Sequence, residues 1–155
     1  MPLYKQGNTN LCWVYSQTMV ESFNNNEKLK KKAADARAKE IAIAYNGADD
    51  WNRGGWPDGV DPSAQVTVGS IEALYDIVVE HGPVYAYYWN GLSGDDSAAH
   101  LVVVTGVSVY KNKVYTNNPS GKKGSQSFDA FLDGVARKSN QDSMGMTFRC
   151  IYLYD

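Results

Sequence analysis

An α+β domain is predicted, with a helical N-terminal half packed on an antiparallel β-sheet in the C-terminal half. Two observations carry this. Segments with apolar residues at helical spacing fill the first half, and segments rich in Val, Tyr and Ile fill the second. The length of 155 residues suits one domain, spanning 1–155, with a single substantial core.

Residues 1 to 10 are polar and rich in Gly and Asn. Trp13, Val14, Gln17, Met19, Val20 and Phe23 then recur at roughly helical intervals. Asn8, Thr9 or Asn10 is expected to cap this first helix, which places Cys12 in its opening turn. A second helix is expected from Asn26 to Tyr45, rich in Ala, Lys and Glu and stopped by Asn46-Gly47. From Ala48 to Gly69 the turn signals Gly54-Gly55-Trp56-Pro57, Asp58-Gly59 and Asp61-Pro62 imply a long irregular loop, a candidate wall for a substrate cleft.

A third helix is expected from Ser70, its N-cap, to Glu80, with Ile71, Leu74, Tyr75, Val78 and Val79 on one face and His81-Gly82-Pro83 closing it. Strands follow at Pro83 to Trp89, Leu101 to Val109, Val114 to Asn117 and Thr147 to Tyr154. The second and third are joined by a tight turn at Lys111-Asn112. That turn sets Asn118 opposite about Thr105, and a bulge at Gly106 would carry it further toward His100.

Charge and composition narrow the function. A net charge of −2 gives no positive field for a nucleic acid. The Lys30-Lys31-Lys32 run sits among acidic residues and reads as a solvated helix face. No stretch reaches the roughly 20 apolar residues of a membrane span, and no signal segment opens the chain. Asp49-Asp50 and Asp95-Asp96 read as solvated turn acids. Neither a metal site nor a phosphate-binding loop is indicated, so no cofactor is expected.

Two cysteines and two histidines remain to carry chemistry. A thiol becomes a strong nucleophile when a base takes its proton, and the positive end of a helix favours the thiolate. Cys12 meets the second condition, and His100, at the start of a Val-rich strand beside a polar turn, is the candidate base. Gln6, six residues before Cys12, is a candidate donor to an oxyanion. An amide or carboxylate at the far end of the hairpin would hold the imidazole. His81 reads as a surface residue at a helix end. Cys150 alternates with Phe148 and Tyr152 and reads as a packing thiol, so no Cys12–Cys150 disulfide is expected.

The motifs Gln6-Gly-Asn-Thr-Asn-Leu-Cys12-Trp13, His100-Leu-Val-Val-Val-Thr-Gly106 and Val114-Tyr115-Thr116-Asn117-Asn118-Pro119 resemble those of the papain-like cysteine peptidases. They look closest to a bacterial branch that includes C39-like bacteriocin-processing peptidases and effector proteases. Pro119-Ser120-Gly121 and Phe128-Asp129-Ala130-Phe131 are also similar to that branch, in which a Gly-rich turn leads to a short helix. The resemblance implies Cys12 as nucleophile, His100 as general base and acid, Asn118 as the residue orienting the imidazole, and Gln6 as oxyanion donor beside the Cys12 backbone N–H. Asn118-Pro119 stands where that branch often has Asp-Pro, which leaves Asn117 as an alternative orienter. Cys12 also lacks the Cys-Gly-Ser lead-in of lysosomal papains.

The function implied is hydrolysis of a peptide or amide bond in a protein or peptide substrate. A Gln deamidase, a transglutaminase-like amide exchanger and a non-catalytic binding module are the alternatives. The start at Met1-Pro2, close to the candidate loop, fits a domain excised from a longer, secreted bacterial protein. An effector or toxin role is then expected, with a cognate inhibitor or immunity protein as a further partner.

Overall fold

The computed structural model describes residues 1–7, 10–58, 60, 68–88, 100–141 and 151–152. Helix α1 spans Cys12–Asn24, α2 Lys31–Asn46 and α3 Ile71–His81. Strands β1 (Val84–Tyr88), β2 (His100–Ser108), β3 (Lys113–Asn118) and β4 (Lys122–Ser127) follow, then α4 (Phe128–Gln141) and β5 (Ile151–Tyr152). The strands form one antiparallel sheet in the order β4-β3-β2-β1-β5.

The α+β expectation holds, with three corrections to its elements. Strand β4, Lys-Lys-Gly-Ser-Gln-Ser, has no apolar residue. It is an edge strand with Lys122 to Ser125 exposed, so its pairing to β3 comes from the backbone and its lysines guard the open edge. Helix α4 is a full 14-residue helix, longer than the short one expected after Phe128. Helix α2 begins at Lys31, five residues later than its composition suggests. The backbone turns at Asn25-Asn26, where Asn26 takes φ 50°, and the Leu29 N–H is held by the Tyr4 hydroxyl at 2.8 Å. Packing α2 back along α1 requires that link, and it overrides local helix propensity.

Helix α1 is buried on every side from Trp13 to Val20, while Phe23, expected on its apolar face, is 46% exposed. In β2, Leu101 to Val104 are all buried, which a strand achieves when both its faces are covered. Helices α1 and α3 pack on β2, and α4 packs on β1, β3 and β4. Ser70 caps α3 as expected, its hydroxyl accepting from the Ala73 N–H at 3.2 Å, and Gly82 ends that helix at φ 82°. Lys30, Lys31 and Lys32 are exposed, as a solvated helix face requires, and Lys31 pairs with Asp35 at 2.7 Å.

The irregular segment after α2 is fastened to α1. The Trp13 indole N–H donates to the Arg53 carbonyl at 3.1 Å, and its ring meets Tyr45 at 4.9 Å. Gln17, 4% exposed, donates to the Asp58 carboxylate at 3.0 Å and accepts from the Asp58 N–H at 3.1 Å. Gly59 and residues 61–67 of the expected loop lie outside the described residues. Gly55 lies so close to Trp13 that a Cβ there would sit 2.8 Å from the indole ring. Gly55→Ala is therefore expected to cost about 1–3 kcal/mol by forcing the loop off the ring. A urea midpoint equal to that of the parent protein would contradict this.

Candidate active site

The nucleophile candidate sits where a helix begins without a side-chain cap. Cys12 is the first residue of α1, and Leu11, 3% exposed, occupies the N-cap position with no capping side chain. Asn10 is therefore not the cap that was expected, and Asn8 and Thr9 lie outside the described residues. The first N–H groups of a helix have no partner within it. Here the Cys12 and Trp13 backbone groups hydrogen-bond to the Cys12 sulfur, as does the backbone of Leu101. Cys12 is a free thiol; Cys150 lies outside the described residues.

Burial dominates the electrostatics of that thiol and pushes it above its ordinary value, while the Leu101, Trp13 and Cys12 backbone hydrogen bonds oppose the rise. Leu101 ties α1 to β2 twice, because its carbonyl also accepts from the buried Ser16 hydroxyl at 3.3 Å. Cys12 and Ser16 are one helical turn apart, so one face of α1 lies along the start of β2. The sulfur therefore rests on the residue that follows His100, although 88 positions separate the thiol from the histidine in the chain.

His100 opens β2, and its Nε2 lies 2.6 Å from Asn118 Oδ1. The same Oδ1 accepts from the Ser120 N–H at 2.8 Å, which identifies it as the oxygen of the amide. An oxygen without hydrogen can only accept, so His100 Nε2 carries the proton and Nδ1 presents its lone pair. Burial pushes the imidazole below its ordinary value of 6.5, while the Asn118 hydrogen bond acts in the opposite direction. Both the thiol and the imidazole are thus biased toward their uncharged forms.

The register of β2 on β3 explains why Asn118 meets His100 and Asn117 does not. Pairing runs Ser108↔Lys113, Val107↔Val114 and Gly106↔Tyr115, then shifts to Val104↔Thr116 and Val103↔Asn117. Thr105 is the extra residue, so the bulge lies one position before Gly106, where it was expected. The turn is also placed differently, because residues 109–112 form the connection in place of a tight turn at Lys111-Asn112. Carried one step further, the ladder sets Asn118 across from Val102, and paired residues share a sheet face. His100 lies two residues from Val102 on that same face. Without the bulge the ladder would set Asn117 on the face of His100 and turn Asn118 to the other.

Asn117 points elsewhere: 3% exposed, it donates from Nδ2 to the Pro2 carbonyl at 2.7 Å. After Asn118 the chain turns tightly, with the Gly121 N–H on the Asn118 carbonyl at 2.9 Å and Gly121 at φ 95°. Gln6 reaches this turn through its backbone N–H, which donates to the Pro119 carbonyl at 2.8 Å. The structure thus gathers Cys12, His100 and Asn118 around the start of β2 and holds Gln6 at the turn following Asn118.

The sequence also matches a known family. Residues 1–136 match the family described as papain-like cysteine protease AvrRpt2. The chain belongs to that family. It is a cysteine protease, and the sequence expectation holds at that level. No curated protein matches the sequence. Among solved structures the chain is similar to a mite allergen from work on the limited antibody cross-reactivity between Blo t 1 and Der p 1, with TM-score 0.41, 13% identity, and coverage of 100% of this chain and 67% of that one.

Two parts of this candidate site carry little or no signal in the sequence. The Leu101 backbone carries no side-chain signal at all. The Ser120 N–H has a faint one, since Asn two residues before Ser across a Pro is a pattern for an Asx turn. His81 is exposed near Glu80 at the end of α3, away from this grouping. The Asp49-Asp50 pair is exposed, as expected of turn acids, whereas Asp95-Asp96 lies outside the described residues. No helix among the described residues is long and apolar enough to cross a membrane.

Proposed function

We propose that this protease cleaves a peptide or amide bond in a protein substrate through Cys12, His100 and Asn118, with Gln6 and the Cys12 backbone N–H holding the oxyanion. The observation that carries the proposal is the 2.6 Å contact of His100 Nε2 with Asn118 Oδ1, made next to the residue on which the Cys12 sulfur rests. With Nε2–H committed to Asn118, Nδ1 takes the thiol proton as sulfur attacks the carbonyl carbon. The imidazolium then protonates the leaving amine and a thioester remains. Neutral His100 next draws a proton from water, whose oxygen displaces Cys12 and returns the thiol.

Burial disfavours the charged form of the thiol and of the imidazole alike. The oxyanion donors then matter most, since they stabilise charge that exists only in the transition state. The segment from Ala48 to Asp58, fastened to α1 beside Cys12, forms one wall of the cleft in this reading. A bacterial effector or toxin role follows from the likeness of the motifs to effector proteases. It would bring a cognate inhibitor protein as partner and delivery as part of a secreted protein.

Iodoacetamide and the epoxide E-64 test the site, and the mass of a treated substrate tests the reaction. Cys12 is expected to be modified faster than Cys150 at neutral pH; equal, slow labelling of both would leave a non-catalytic binding module as the better reading. Chain cleavage supports the protease reaction. A gain of about one dalton on a Gln side chain, or an added amine, would replace it with deamidation or amide exchange on the same three residues.

Asn118 gives a prediction with opposite signs for two substitutions. Asn118→Leu keeps the volume and removes the acceptor, so kcat should fall about 100-fold. The Asn118 bond raises the imidazole pKa; without it the acid limb of kcat/KM moves to lower pH. Asn118→Asp places a carboxylate against the ring, favours the imidazolium and moves the acid limb upward. Acid limbs that stay together in both variants would remove Asn118 from the site.

A further inference from the structure

The N-terminal arm, residues 2–6, is fastened along the turn that carries Asn118. The Asn117 amide donates to the Pro2 carbonyl at 2.7 Å, the Gln6 N–H donates to the Pro119 carbonyl at 2.8 Å, and the Lys5 side chain lies against Gly121. On its other side the arm is anchored by Tyr4, 6% exposed, whose hydroxyl donates to Ser22 of α1 at 3.2 Å. The Asn117 side chain that reaches the arm from β3 is nearly sealed from water. A buried amide in such a place costs free energy unless it is bonded, so the arm is held where the amide can reach it.

From this we infer that Asn117 is a positioning residue: it locks the arm to β3 so that Gln6 is held at a set distance from Cys12, and it acts on the reaction only through Gln6. The inference rests on the reading of Gln6 as oxyanion donor. The bulge at Thr105 gives the two adjacent asparagines separate tasks on opposite sheet faces, Asn118 aligning the base and Asn117 aligning the oxyanion donor. One strand thereby couples both supports of the reaction to the same turn.

The test separates the two asparagines by chemistry. Acyl transfer from p-nitrophenyl acetate to Cys12 passes through an oxyanion, whereas alkylation by iodoacetamide does not. Asn117→Leu is expected to lower kcat for the ester about tenfold with little change in KM, since small displacements of a positioned group carry penalties of this order. Cys12 alkylation and its pH profile should stay as in the parent protein, whereas Asn118→Leu lowers both rates. Gln6→Ala should lower ester turnover on its own, and Gln6→Ala with Asn117→Leu should lose no more than Gln6→Ala alone.

Removing Met1 and Pro2 takes away the acceptor carbonyl without touching β3, and should reproduce the Asn117→Leu pattern should that variant fold poorly. Unchanged ester turnover in both, a parallel fall in alkylation, or a loss that adds fully to that of Gln6→Ala would overturn the role of Asn117. An inert Gln6→Ala would instead overturn the oxyanion reading beneath it.

Discussion

Cys12→Ala is expected to lower kcat/KM by about 10⁵-fold while leaving the fold intact, because deleting a nucleophile removes the covalent route altogether. The fold should survive for a local reason. Cys12 is a half-buried residue at the first position of α1, with the core of that helix starting at Trp13. Alanine is the best helix former, so a stability change within about 1 kcal/mol is expected. Cys12→Ser should be nearly as inactive, since a hydroxyl is a far weaker acid than a thiol and the uncharged His100 must remove its proton. Intact-mass measurement after E-64 treatment supplies the check: one adduct on the parent protein and none on Cys12→Ala. A Cys12→Ala protein that retains more than about one hundredth of the parent's cleavage rate would place the chemistry elsewhere.

His100→Ala is expected to cost about 10⁴ to 10⁵-fold in kcat/KM, through loss of the base that takes the thiol proton and returns it to the leaving group. Burial holds the thiol above its ordinary value of 9.0, so without the imidazole Cys12 stays protonated at neutral pH. Iodoacetamide labelling should then rise only in the alkaline range. In the parent protein the sign of the pH dependence follows from His100, whose neutral form is the base. Its pKa is lowered from 6.5, so the acid limb of kcat/KM should lie below pH 6.5. Folding feels the same shift: the unfolded chain binds that proton more readily, so stability is lost as pH falls below 6.5. An acid limb above that value, or His100→Ala labelling at the parent's rate, would break the link between ring and thiol.

Much of the candidate site is legible in the sequence because it rests on local chemistry. A cysteine that opens an apolar-periodic segment, a histidine at the head of a Val-rich run and asparagines before a proline each report their own surroundings. Ser70 is equally readable, since an N-cap needs only the helix that follows it. Strand β4 is hidden because an edge strand of Lys, Gly, Ser and Gln carries no apolar alternation. Composition misplaces the start of α2 because Glu27, Lys28, Leu29 and Lys30 suit a helix and Asn26 suits its cap, and only packing against α1 demands a turn there. The missing cap at Cys12 has a similar cause, as the first N–H groups of α1 turn to the sulfur.

The α+β order of the domain therefore follows from composition and periodicity, whereas the helix faces follow only in part, since Leu74 is buried but Phe23, Tyr75 and Val79, expected on apolar faces, are exposed. The choice between Asn117 and Asn118 does not follow from composition or periodicity. Strand residues 101–104 are buried on both faces, so no polar alternation marks which side of β2 a neighbour should meet. One unpaired residue, Thr105, settles it, because a single-residue shift exchanges the faces of everything beyond it. That shift depends on how β2 sits among α1, α3 and the rest of the sheet, a property of the packed whole that no local stretch of chain encodes.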